Sequence, residues 1–188
     1  MAIISKKYMK IFLAALIIFF GVVFRIFLNE QFHIPNFEAV TALSLLSGVF
    51  FRGFYSALIP LNIMFFSDLY FGNSAIYLFT WSAFALIGVF GNILKRKSKY
   101  LHLKSTGLGV LSVLFFYAWT NFGWWLTSGM YSMDLGGLIE CYLRAIPFLK
   151  NQLVSVLLFA PSFSLIFSRV FSFFKKYEKE LKTKTSLT

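Results

Sequence analysis

The chain has 188 residues, 59% of them hydrophobic and only 13% charged, with a mean hydropathy of +0.75. A soluble domain is roughly half apolar and about a quarter charged, so a single aqueous core is excluded and the excess apolar side chains, 26 Phe among them, must meet lipid. The net charge of +11 sits at the N-terminus (Lys6, Lys7, Lys10), in one internal cluster (Lys95, Arg96, Lys97, Lys99, Lys104) and in the tail (Lys175, Lys176, Lys179, Lys182, Lys184). These groups flank apolar runs and form no single basic face, which points to an anionic inner leaflet as partner and away from nucleic acid.

A spanning helix takes about 20 mostly apolar residues. The first run, 11–28, has a basic flank like a signal peptide but is long and lacks a small-x-small cleavage site. It is predicted as an uncleaved first helix behind a cytoplasmic N-terminus, 1–10. A polar stretch over 29–38 leads to a second run, 39–51, broken at Arg52-Gly53. The third, 54–71, contains Pro60 and ends at Ser67-Asp68, and the turn Gly72-Asn73-Ser74 opens the fourth, 75–94. Beyond the basic cluster lie a fifth run, 106–126, an amphipathic glycine-containing segment, 127–150, and a sixth run, 153–174, with Pro161 inside it. A basic tail, 175–188, closes the chain. The expectation is an all-α membrane protein, with one transmembrane domain of about six helices over 11–174, multi-pass in the inner cell membrane.

Loop charge sets the expected orientation. With the N-terminus inside, the inner loops carry Arg52 and the Lys95–Lys104 cluster, while the outer ones carry Glu30, Glu38, Asp68, Asp134 and Glu140. Every large basic cluster then falls on the cytoplasmic side, so both ends are predicted inside.

Polar groups near membrane depth are costly and face the protein interior or a water-filled cavity. Here they gather at the outer helix ends. Arg25 ends the first run, Asn36 and Glu38 open the second, and Asp68 closes the third. Trp81 lies in the fourth, Asn121 and Trp124 close the fifth, and Tyr131, Glu140 and Arg144 lie in the outer segment. Singly, each has a plain structural reading: Arg25 snorkels, Asp68 and Glu38 cap helices, and the Trp residues form an interfacial belt. Collectively they suggest an outward pocket of aromatics with a few polar groups, which is what a small-molecule site requires. Asp68 calls for a partner such as Arg25 or Asn36. Glu140 and Arg144, four apart on a helix face, are expected to pair with each other before either meets a ligand.

Cys141, the single cysteine, excludes a disulfide framework and reads first as a small hydrophobe. Its other reading is a soft ligand to a corrinoid cobalt; His33 has the same pair of readings, with loop exposure favoured. Residues 127–150 are expected to form a lid over the site, with a hinge at Gly136-Gly137, a short surface helix over 138–146 and a stop at Pro147. The sequence offers no Walker-type glycine loop, no HExxH, no GxSxG and no paired carboxylates, and His102 stands alone in the inner loop. It is therefore read as neither an enzyme nor an ATPase, and it calls for no cofactor.

One ordered set of motifs carries a resemblance. It comprises Pro35-Asn36-Phe37-Glu38-Ala39-Val40-Thr41-Ala42-Leu43 with Gly48, Pro60-Leu61, Ser67-Asp68-Leu69 and Phe115-Phe116. Thr120-Asn121-Phe122 with Trp125, Gly137-Leu138-Ile139-Glu140-Cys141-Tyr142 and Ala145-Ile146-Pro147-Phe148 complete it. Between about Arg25 and Phe159 the chain resembles an uncharacterised family of membrane transport proteins, whose members are similar to the substrate-binding S components of energy-coupling-factor (ECF) vitamin transporters. The resemblance implies a six-helix bundle that holds a vitamin-like nutrient in an outward pocket. It also implies an ECF coupling subunit and ATPases as partners. Such S components offer an Ala-x-x-x-Ala surface on the first helix; here Ala14 is followed by Ile18 and Ala15 by Phe19. The competing class is a non-transporting scaffold similar to the rod-shape-determining MreD-like proteins, in which the outer polar groups are caps and partner contacts. An enclosed pocket would favour transport, and a solid bundle with a lateral groove would favour the scaffold.

Overall fold

The computed structural model describes residues 6–72 and 75–185. Its elements are α1 (Lys6–Phe32), α2 (Val40–Phe50), α3 (Tyr55–Phe71), α4 (Tyr77–Phe90, continued by a 3-10 turn Gly91–Ile93), α5 (Leu101–Thr127), α6 (Leu135–Arg144) and α7 (Ile146–Thr185). Part of the expected Gly72-Asn73-Ser74 turn, and the ends of the chain, lie outside the described residues.

Three stretches are long and apolar enough to cross a membrane: Tyr8–Phe32, Leu101–Thr127 and Ile146–Tyr177. Only 28% to 33% of each spanning window is buried within the bundle. The remainder presents Phe12, Phe19 and Phe27 on α1, Leu111 and Leu114 on α5, and Leu157, Leu158, Leu165 and Ile166 on α7. Exposed apolar surface on this scale suits lipid and not water. The protein is a helical membrane protein.

At the centre sits α2, buried at every one of its 11 residues and touched by α3, α4, α5 and α7, with α1 packed on α3. Eleven residues rise only about 16 Å, roughly half the hydrocarbon thickness. The helix is shielded from lipid, so its short length leaves no unpaired backbone against hydrocarbon. Glycine sets how closely α2, α3 and α4 approach. A Cβ on Gly48 would stand 2.0 Å from the Gly88 carbonyl oxygen, one on Gly88 1.9 Å from that of Ser56, and one on Gly91 2.0 Å from that of Leu45. Without dehydrated apolar surface to drive assembly in lipid, this backbone-to-backbone contact is how helices gain packing energy.

The α2–α3 reversal, with Arg52 at φ 56° and Gly53 at φ 60°, lies at the basic end of the bundle. There Arg52 donates to the carbonyls of Asn92 (3.0 Å) and Leu94 (3.3 Å), satisfying groups that the end of α4 leaves open. Lys10 stands 4.6 Å over the ring of Tyr55, and Arg96 5.3 Å over that of Phe171. The ends of α1 and α3, the start of α4 and the start of α7 make up the opposite end.

Several boundaries differ from expectation. Pro60 and Pro161, by contrast, sit inside continuous helices as the runs that contain them predict. α7 begins at Ile146, so Pro147 occupies its first turn, where no N–H is needed, and starts that helix where it was expected to stop the preceding one. It also runs on through residues assigned to the tail. Gly136 and Gly137 lie in the first turn of α6 and not in a hinge. A Cβ on Gly137 would meet the Ser132 carbonyl oxygen at 2.1 Å, so the site needs glycine for close approach.

Candidate functional site

The end of the bundle opposite the basic one holds a cavity of about 370 Å³. Its rim includes the exposed residues Asn29, Ile34, Asn36 and Gly72, and its floor is buried at Met64, Phe84, Phe116 and Gln152. It is therefore open at the loops and closed toward the bundle centre.

Two polar groupings line it. In the first, Arg25 on α1 pairs with Asp68 on α3 at 2.6 Å; the same guanidinium nitrogen donates to the Ser67 hydroxyl. The second carboxylate oxygen of Asp68 accepts from the indole N–H of Trp81 on α4 at 2.7 Å. Three helices are thus joined through one carboxylate, and Arg25 also lies 5.2 Å over the ring of Phe71. The expected partner of Asp68 is in place.

The second grouping surrounds Glu38, in the loop before α2. Its Oε2 accepts the Thr41 N–H at 3.0 Å, as a carboxylate does at a helix start. Its Oε1 takes the Thr41 hydroxyl and the Gln152 amide at 3.3 Å. Gln152, buried on α7, also donates to the Thr41 hydroxyl at 3.0 Å. One residue earlier in α7, Asn151 donates to the Pro35 carbonyl at 2.9 Å and ties the loop over α7.

Of the residues singled out in the sequence, Arg25, Asn36, Glu38 and Asp68 line the cavity, and Trp81 braces it through Asp68. The others gather where α6 lies on α5. Asn121 donates to its own helix at Tyr117, Trp124 is half-buried near the end of α5, and Tyr131 stands beside Cys141. Glu140 and Arg144 pair with each other at 2.7 Å on the exposed face of α6. No residue of 127–150 is on the cavity lining. α6 is held by hydroxyl-to-carbonyl bonds from Tyr117 to Tyr142 (2.5 Å) and from Tyr142 to Ala118 (2.6 Å). Cys141, on α6 itself, is buried against α5 with its thiol 3.5 Å from the Asn121 carbonyl, the place of a small packing residue and away from the cavity. His33 is exposed in the loop. Among the described residues no three His, Cys, Asp or Glu converge as a metal site.

Three polar lining residues were not anticipated. Asn29 follows Arg25 by four positions and so shares its helix face. Gln152, directly after Asn151, is an amide at the mouth of an apolar run, a signal of function at membrane depth. Thr80 bonds its own helix at Tyr77 and left no mark in the pattern.

No curated protein and no solved structure matches the chain. A family model matches residues 5–179, nearly all of it. The protein belongs to that family, a family of unknown function (DUF6580).

Proposed function

We propose that this is a substrate-binding membrane transport protein that takes up a small nutrient through the cavity between α1, α3, α4 and α7. The cavity carries the reading: a polar-and-aromatic chamber of about 370 Å³ with an exposed rim and a buried floor. That volume is at the lower end of the range for small-molecule sites, so the ligand is compact, of the size of a vitamin fragment and well below a corrinoid. The chamber favours this reading over a non-transporting scaffold of MreD-like type.

In this reading the chain crosses the inner membrane six times with both ends cytoplasmic. Residues 33–39 and the short α2 form the second pass together. Irregular backbone at that depth is tolerated where it lines a cavity. The placement of Lys10, Arg52 and Arg96 at the end away from the cavity supports an outward-facing site. On α1, Ala14 is buried while Phe12, Phe19 and Phe27 face outward. This supports uptake without a coupling subunit docked through small residues on that helix.

Native mass spectrometry of gently purified protein tests the proposal. A small molecule should remain with the wild type and be absent from Thr80→Trp, which fills the cavity and leaves both polar groupings intact. An equally empty wild type and variant, with no uptake in vesicles, would end it.

A further inference from the structure

We infer that the cavity selects a compact cation, an organic ammonium or a small protonated nitrogen heterocycle, with Glu38 as its counter-charge. The inference rests on the binding-site reading above and adds the chemical class of the ligand.

The argument is a charge count. Three charged side chains line the cavity: Arg25, Asp68 and Glu38. Arg25 and Asp68 answer each other at 2.6 Å, and the Trp81 N–H takes the remaining Asp68 oxygen. Among the described residues Glu38 is left with neutral hydrogen-bond partners only, Thr41 and Gln152. Ionised, it leaves the chamber one negative charge in excess, without a counter-ion in hydrogen-bond contact. Its Oε2 accepts a bond from the Thr41 N–H alone, so a lone pair remains for a ligand donor. An enclosed carboxylate whose nearest opposing charge, Arg25, is already paired with Asp68 is costly, and a cation entering the chamber removes that cost.

The rest of the lining suits the same ligand. Phe37, Phe71, Phe84 and Phe116 present rings, whose faces attract cations in a desolvated site. The Arg25 guanidinium over Phe71 already shows a cation seated this way. An anion would meet two carboxylates, and the one cation on the described lining, Arg25, is already engaged by Asp68.

A proton is the natural competitor for Glu38, because protonation also removes the enclosed charge. The charged groups facing it are Arg25 from α1 and Asp68 from α3; Thr80 from α4, Phe116 from α5 and Gln152 from α7 are neutral. Cation binding therefore tightens as pH rises through the Glu38 transition, and it releases protons.

The test uses three probes of one shape: benzylamine (protonated throughout), benzyl alcohol and benzoate, titrated calorimetrically into the full-length protein in detergent. Benzylamine should bind about tenfold tighter than benzyl alcohol, and benzoate weakest. Glu38→Gln, which keeps the shape and removes the charge, should bring benzylamine and benzyl alcohol level. A second measurement needs no variant: benzylamine binding to the wild type, repeated in buffers of different ionisation enthalpy and kept below the pKa of the amine, should show proton release that falls away as pH rises. Benzoate binding as tightly as benzylamine, a cation preference that survives Glu38→Gln, or no benzylamine binding at millimolar concentration would each overturn the assignment. An anionic molecule co-purifying in native mass spectrometry would overturn it too, while leaving the binding-site reading in place.

Discussion

Arg25 and Asp68 stand 43 positions apart in the chain and 2.6 Å apart in space. The pair is largely withdrawn from solvent, with side-chain exposures of 22% and 10%, so its members are fixed by each other and by Trp81. That one contact locks the upper halves of α1, α3 and α4 around the cavity.

Removing either partner should be severe because the other charge remains enclosed. Asp68→Ala and Arg25→Ala are each expected to cost about 3 kcal/mol, near the lower figure for breaking a buried pair. The double variant should lose less than the sum. Trp81→Phe, which takes away a single N–H donor, should cost about 1 kcal/mol. Reversible denaturation in mixed micelles reads all four, with Glu30→Gln, at an exposed site on α1, as the neutral reference. A double-variant loss equal to the sum would show that the residues act independently.

Gly48, Gly88 and Gly91 make a second class of prediction. Each faces backbone at about 2 Å from where a Cβ would sit, and backbone cannot rotate away as a side chain can. Gly48→Ala and Gly88→Ala should therefore exceed the ordinary overpacking range of about 1–3 kcal/mol and abolish monodisperse protein in size-exclusion chromatography. Gly107→Ala, with nothing within 4 Å, should be neutral or gain up to about 1 kcal/mol of helix propensity. Equal behaviour of Gly48→Ala and Gly107→Ala would mean that the α2–α4 contact is looser than described.

Much of this was legible in the sequence, for reasons that also show where legibility stops. Apolar run length marked every principal helix, because lipid leaves no other place for such runs. The Arg25–Asp68 pair was readable because a lone carboxylate at membrane depth needs an answer. The Glu38–Thr41–Gln152 grouping was not readable. It closes across more than a hundred residues, and Gln152 has no periodic pattern to reveal which helix it faces. Neither could the sequence separate Asn121, Glu140 and Arg144 from the cavity residues. All are polar groups at the helix ends away from the basic clusters, and only the packing of α6 onto α5 distinguishes them. Pro147 misled because proline ends one helix and begins another equally well.

Orientation is checked by thiol labelling in a Cys141→Ala background. Ser98→Cys, in the basic loop after α4, should react only with reagent admitted to the cytoplasmic side. Ser132→Cys, in the exposed turn before α6, should react in intact cells with an impermeant maleimide. The reverse pattern would put the cavity on the inside and end the uptake proposal.

The last prediction concerns α6 and the native thiol. Cys141 is 1% exposed, and burial pushes its thiol above the usual range, so labelling must wait for α6 to lift from α5. Asp134 holds the start of that helix: its carboxylate accepts the Gly137 N–H at 2.8 Å and the Ser132 hydroxyl at 3.0 Å. It is a cap, although the sequence had it as a solvated loop residue. These bonds, that from Gly137 first, hold the Asp134 carboxyl below its ordinary value of 3.8. A depressed folded value means that the cap contributes fully above the ordinary value and is lost as pH falls through the lowered one. Maleimide labelling of the folded wild type should be slow compared with denatured protein, and several-fold faster in Asp134→Ala. Hydrogen exchange of α6 amides, corrected for intrinsic rate, should lose protection at acid pH in the wild type but not in Asp134→Asn, whose amide oxygen can cap without titrating. Because no residue of 127–150 lines the cavity, benzylamine at saturating concentration should leave the Cys141 labelling rate unchanged. Strong protection by the ligand would instead make this segment a moving cover over the site and would require α6 to leave its present seat on α5.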